Sequence, residues 1–183
     1  MMKGFAAGLA ALALAGCGIQ EAREGLSKKD DLLVKVAIED VLSRYYQKLG
    51  SGNPAAFTEF YTDDAVFEVN GIVAQGKQEI EAIYAGSGDE APANSGTFHM
   101  VLSNLVVDVE GDTATASMLW TGFDNNDLRG PPRIREQGRE YDLLVKRNGQ
   151  WLIKRRVVVA DSGLPASMAA TYDKRENYDI TED

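Results

Sequence analysis

The chain has 183 residues, with 28 acidic against 19 basic side chains, and so a formal net charge of −9. Nucleic-acid binding needs clustered Lys and Arg for phosphate contacts, so this balance argues against it. One cysteine and one histidine, His99, leave no disulfide framework and no multi-histidine metal cage, so neither a metal nor another cofactor is expected.

Residues 1–16 carry a single positive charge at Lys3, followed by an uncharged apolar run from Phe5 to Gly16. This is the pattern of a bacterial export signal, and the run is too short for a membrane span, which needs about 20 apolar residues. Leu14-Ala15-Gly16-Cys17 resembles the lipobox of bacterial lipoproteins. The resemblance implies cleavage before Cys17 and lipidation of its thiol. Removing residues 1–16 takes away Lys3, leaving 167 residues, 18 basic against 28 acidic, and a net charge of −10. Such a chain is not drawn to anionic head groups by its charge, so acyl chains must hold it at the membrane. The expected address is the bacterial cell envelope, facing the periplasm. Gly18 after the cysteine, in place of an aspartate, favours the outer membrane by resemblance to the enterobacterial sorting pattern.

Residues 17–32 comprise the lipidated cysteine and a polar tether, with Asp30 and Asp31 placed for a helix start. Val34, Ile38, Val41, Leu42, Tyr45 and Leu49 recur at helical spacing up to Gly50-Ser51-Gly52. Pro54 opens a second short helix through Phe57, Phe60 and Tyr61. Ala65–Val69 and Ile72–Gln75 form a hairpin around Asn70-Gly71, and Glu79–Ala85 a third helix. Residues 86–96 read as a loop. Thr97–Val109 and Thr113–Gly122 flank the tight turn Glu110-Gly111-Asp112. Arg139–Lys146 and Gln150–Ala160 flank Arg147-Asn148-Gly149. A domain over 33–162 is followed by a polar tail, 163–183, with Tyr172 and Tyr178 as docking points. Helices early and long strands late define an α+β domain.

The order of elements resembles the SnoaL-like branch of the nuclear transport factor 2-like superfamily. The residues that carry it are Ile38-Glu-Asp-Val-Leu-Ser-Arg-Tyr-Tyr, Phe60-Tyr-Thr-Asp-Asp-Ala-Val-Phe-Glu, Gly76-Lys-Gln-Glu-Ile, Phe98-His-Met-Val-Leu-Ser-Asn, Val109-Glu-Gly-Asp-Thr-Ala-Thr-Ala and Asn148-Gly-Gln-Trp-Leu-Ile-Lys-Arg-Arg. The resemblance implies a cone-shaped α+β barrel, its curved antiparallel sheet wrapped around a cavity closed by N-terminal helices. It also implies homodimers through the sheet.

By the same resemblance, Tyr45 points its phenol into the cavity as a hydrogen-bond donor to a carbonyl; Tyr46 is the register alternative, its side chain expected to face the other way. His99 opens a long strand where similar dehydratases carry a general base or acid, on a face shared with Val101, Ser103 and Leu105. Asp142 matches a strand carboxylate that some isomerases keep protonated. Against these roles stand amphipathic packing for Tyr45, a backbone-satisfied histidine, and pairing of Asp142 with Arg139 or Lys154. Asp63 and Asp64 read as turn and cap residues, and Arg133, Arg135, Arg139, Lys154, Arg155 and Arg156 as cross-strand partners of acids. The dehydratase aspartate that would tune the histidine is replaced by Gly50, and the isomerase base by Val69. The sequence therefore points to a pocket for a small apolar or polycyclic-type molecule, lined by Tyr45, Val69, His99 and Val101, on a domain without efficient catalysis. The alternatives are a lyase or isomerase using Tyr45, His99 and Asp142, and an assembly role for the sheet face.

Overall fold

The structure is a computed structural model; it describes residues 11–48, 53–87, 97–125, 127, 129–174 and 179–181, with only the backbone course for 11–26. Helix α1 runs Ala11–Lys48 without a break, so it starts well before Asp30 and the segment read as a tether is helical. Among its described side chains, those of the C-terminal part are amphipathic against the domain. Ile38, Leu42 and Tyr45 are buried, while Leu32, Leu33 and Val36 are exposed. Pro54–Phe60 forms a 3₁₀ turn, as proline at the first position favours.

Strands β1 (Tyr61–Val69) and β2 (Ile72–Gln75) form the first hairpin, and α2 (Gly76–Ser87) follows directly. Strands β3 (Thr97–Glu110), β4 (Thr113–Asn125), β5 (Arg133–Arg147) and β6 (Gln150–Ser162) then pair consecutively. The sheet order is β2-β1-β6-β5-β4-β3. It is a curved six-stranded sheet that does not close, and every neighbour is antiparallel except β1 and β6, which run parallel. Asn70-Gly71 and Asn148-Gly149 turn two hairpins with positive φ at both residues, the conformation that an Asn-Gly pair adopts at low cost. Gly71 is also required sterically, since a Cβ there would stand 1.8 Å from the Thr171 carbonyl oxygen of the tail.

The two faces of the sheet have separate cores. On the inner face Ile38, Leu42, Tyr45, Phe57, Tyr61, Phe67, Ile80, Leu144, Trp151 and Ile153 pack together. On the outer face Val157 and Val159 are covered by Ile180 and Tyr172 of the C-terminal segment. The Tyr172 hydroxyl donates to the Ala160 carbonyl at 2.5 Å, whereas Tyr178 lies outside the described residues. No helix among the described residues is long and apolar enough to cross a membrane.

Candidate functional site

Strand alternation puts Gly138, Glu140, Asp142 and Leu144 of β5 on the inner face. Their partners on β6 lie out of simple phase. Leu144 opposes Ile153 and Leu143 opposes Arg155, so Lys154 is an extra residue in a bulge. The bulge turns Arg156, not Arg155, into the core, directly opposite Asp142. Arg156, Glu140 and Asp142 are all fully buried. The Arg156 guanidinium donates from Nε to Asp142 Oδ1 at 2.6 Å and from Nη2 to Oδ2 at 3.1 Å. Its Nη2 also lies 2.9 Å from Glu140 Oε1, without hydrogen-bond alignment, and Nη1 has no partner among the described residues.

One guanidinium thus serves two carboxylates. Charges this deeply buried are tolerated only with partners, and both acids ionised would leave a net negative charge in the core. Burial pushes the Glu140 carboxyl up to about 8, opposed by Arg156 and reinforced by Asp142. Burial alone would lower the Arg156 pKa, but Asp142 and Glu140 together hold it well above its usual value.

Aromatic rings enclose the cluster. The Tyr45 ring lies 4.0 Å from the Arg156 guanidinium carbon, a desolvated cation–π contact. The Tyr45 hydroxyl is 3.2 Å from that of Tyr61, and burial raises the Tyr45 phenol to about 12. Tyr46, the next residue on α1, donates its hydroxyl to Glu140 Oε2. Burial and the nearby Glu140 both hold its phenol well above the ordinary range.

Beside the cluster opens a cleft of about 430 Å³ between α1 and β3, lined by Ser43, Tyr46, Gln47, Phe98, His99, Met100 and Leu102. Gly122 of β4 makes room for the Phe98 ring, because a Cβ there would stand 2.9 Å from it. The sequence-selected residues are distributed unequally around this cleft. Tyr46 rather than Tyr45 lines it, and Tyr45 sits in the aromatic core with Phe57, Phe60, Tyr61 and Tyr84. His99 contributes at the exposed rim, since Phe98, Met100 and Leu102 alternate with it toward the inner face. Val101 is half exposed on the outward face with Ser103, so that face is not an apolar wall of the cleft. Val69 packs against the main core at the end of β1, away from the cleft lining.

Asp142 pairs with Arg156, not with Arg139 or Lys154; those two bind Asp161 and Asp64. Asp63 pairs with Lys77. No group of three or more metal-ligating side chains converges among the described residues. Glu140 and Tyr61, which with Arg156 centre the buried network, are absent from the sequence-selected set, and Arg156 was read there only as one of several cross-strand partners of acids, a role it fills with Asp142. Two acids on successive inward positions of a core strand were the available signal. Their partner was hidden by the bulge, since alternation from Trp151 and Ile153 points to Arg155.

The open sheet, the preceding helices and the cleft between them define a nuclear transport factor 2-like, or cystatin-like, α+β protein. Within that class the chain belongs to the SnoaL-like domain family, whose model matches residues 30–157. Three solved structures share this fold. An NTF2-like protein with a cystatin-like fold from Novosphingobium aromaticivorans superposes with a TM-score of 0.63 at 25% identity, covering 81% of this chain and 96% of that one. A proposed scytalone dehydratase from the same organism gives 0.62 at 21%, covering 74% and 89%. A protein of unknown function from Mycobacterium tuberculosis gives 0.64 at 20%, covering 78% and 86%. No curated protein sequence matches the chain.

Proposed function

We propose that the chain is a lipid-anchored envelope domain that holds a small, largely apolar ligand in the cleft between α1 and β3, without efficient catalysis. The observation that carries this reading is the composition of the cleft. Phe98, Met100 and Leu102 supply an apolar wall, while Ser43, Gln47 and His99 supply polar groups for orientation, as small-molecule sites do. The lipobox-like Leu14-Ala15-Gly16-Cys17 supports the anchor and the envelope address, facing the periplasm, with the outer membrane favoured. Homodimerisation through the sheet would use β3 and β4, because the tail already covers Val157 and Val159 on β6.

Two experiments test it. Full-length protein expressed in a bacterial host with labelled palmitate takes up label, and Cys17→Ala does not; uptake by the variant would end the anchor reading. Solvent extracts of the purified protein, compared with those of Leu102→Trp, contain a small apolar compound that the filled cleft loses. Identical extracts would end the binding reading.

The lyase or isomerase reading with Tyr45 and His99 as the proton-transferring pair is weaker on geometry. The Tyr45 hydroxyl is tied to Tyr61 in the core and His99 stands at the rim. The observation in its favour is a buried carboxyl, Glu140, held at about 8 and joined to the cleft through Tyr46. Turnover of a carbonyl or hydroxyl compound that survives Tyr46→Phe would remove that support.

A further inference from the structure

We propose that a second apolar face of α1, formed by Leu32, Leu33 and Val36, rests on a phospholipid bilayer and turns the α1 edge of the cleft toward that surface. This rests on the envelope-anchor reading above and names the surface from which the cleft is filled.

Where α1 reaches the domain, it is apolar on two opposed sides. Val34 and Ile38 pack into the core, whereas Leu32, Leu33 and Val36 are 62%, 58% and 61% exposed. A helix covered by its own domain on one side needs only one apolar face, so the other is made for a partner. Lys28 and Lys29 stand one turn before this patch, exposed and with no acidic partner among the described residues, while Asp31 is taken by Lys35. Apolar side chains framed by lysines match a bilayer. The apolar groups enter the acyl boundary and the lysine heads reach the lipid phosphates. Insertion supplies the contact, because a net charge of −9 draws the chain to no anionic surface. A second copy is a poorer fit, since three side chains fall well short of the about 800 Å² per partner that stable dimers bury.

Helix geometry ties the patch to the cleft. Leu32, Val36, Ser43 and Gln47 follow one another at steps of four, seven and four residues, so they share one side of α1. Ser43 and Gln47 line the cleft. Val36 and Ser43 are about 10 Å apart along the axis. Glu39 and Asp40 stand between them, with Asp40 held by Arg44. The apolar contact therefore ends one turn after Val36, and the cleft edge comes to the level of the head groups.

The test uses the full chain, expressed in a bacterial host and bound to vesicles of phosphatidylcholine with a minor fraction of phosphatidylglycerol. Bromine on the acyl chains quenches any tryptophan that reaches them. Trp120 and Trp151 are buried, so the wild type supplies the background. The emission added by Val36→Trp should be largely lost on these vesicles and kept on unbrominated ones. The emission added by Val73→Trp, an exposed site on β2 at the far edge of the sheet, should be kept on both. Ser43→Trp should fall between the two; if it matches Val73→Trp, the cleft does not face the bilayer and the inference fails. Tryptophan itself favours the interface, so Leu32→Ser with Leu33→Ser in the Val36→Trp chain is the second variant, and it should restore most of the emission. Vesicle-bound chain in which Val36→Trp is quenched no more than Val73→Trp overturns the inference and leaves the anchor reading standing. Quenching that survives the two serines overturns it as well, as does a dimer in detergent that those serines dissolve. A chain that does not float with the vesicles ends both readings.

Discussion

Tyr45 and Tyr46 are neighbours on one helix and touch the same buried charges, yet they belong to different compartments. Tyr45 is closed in by Phe57, Phe60, Tyr61 and Tyr84, with the Arg156 guanidinium over its ring. Tyr46 reaches Glu140 with its hydroxyl and shows its ring to an open cleft. A helix turns about 100° per residue, so adjacent side chains look out in different directions. The lesson is that a helix edge, rather than a helix face, separates structural packing from the accessible site. One residue of register moves a side chain from one compartment to the other.

The comparison breaks most violently at the charge the two tyrosines share. Arg156→Met leaves Glu140 and Asp142 buried without their cation, and should cost about 3–5 kcal/mol in denaturant unfolding. A loss below about 1 kcal/mol would mean the cluster is hydrated or relaxes easily. Next come the tyrosines themselves. Tyr45→Phe removes a buried hydroxyl pair with Tyr61 and should cost about 1 kcal/mol in stability while leaving ligand affinity in the cleft unchanged. Tyr46→Phe should do the reverse in emphasis, altering affinity. Equal effects of the two variants on affinity would erase the distinction.

A pH series sharpens the contrast further. Because the folded Glu140 pKa is raised to about 8, the native state binds that proton more tightly than the unfolded state does. Its contribution to stability is full below the unfolded value near pH ~4.3 and is lost as pH rises through the folded value. Unfolding free energy of the wild type should therefore decline across that window relative to Glu140→Gln. A constant difference between the two would contradict the raised pKa. The smallest effect belongs to the outside of the molecule. The exposed Lys154–Asp64 pair should leave Tm unchanged within error when Lys154 becomes Ala.

How much of this could be read from the chain differs between elements for physical reasons. The hairpin turns were legible because Asn-Gly carries its own backbone preference, and Asn70-Gly71 and Asn148-Gly149 both turn where expected. The long strands were legible through alternation, although β5 begins at Arg133 rather than Arg139, extended by pairing with β4 that no local pattern records. The start of α1 was misread because glycines and polar residues at 18–30 suggested a tether, yet that stretch is helical. The parallel β1–β6 pairing and the bulge at Lys154 are tertiary outcomes. With the bulge went the identity of the inward arginine, and with that the network holding Asp142. Tyr45 was chosen over Tyr46 by resemblance to an isomerase tyrosine, whereas its place on the apolar stripe argued for packing, and that property places it in the core rather than the cleft.

Helix α1 does more than wall the cleft. It spans 38 residues, about 57 Å at 1.5 Å per residue. Cys17 and Tyr46 both lie on it, separated by about 44 Å along the axis at that rise. The rod that carries the cleft's tyrosine is thus also a ruler, and it fixes the distance between the cleft and the position of Cys17.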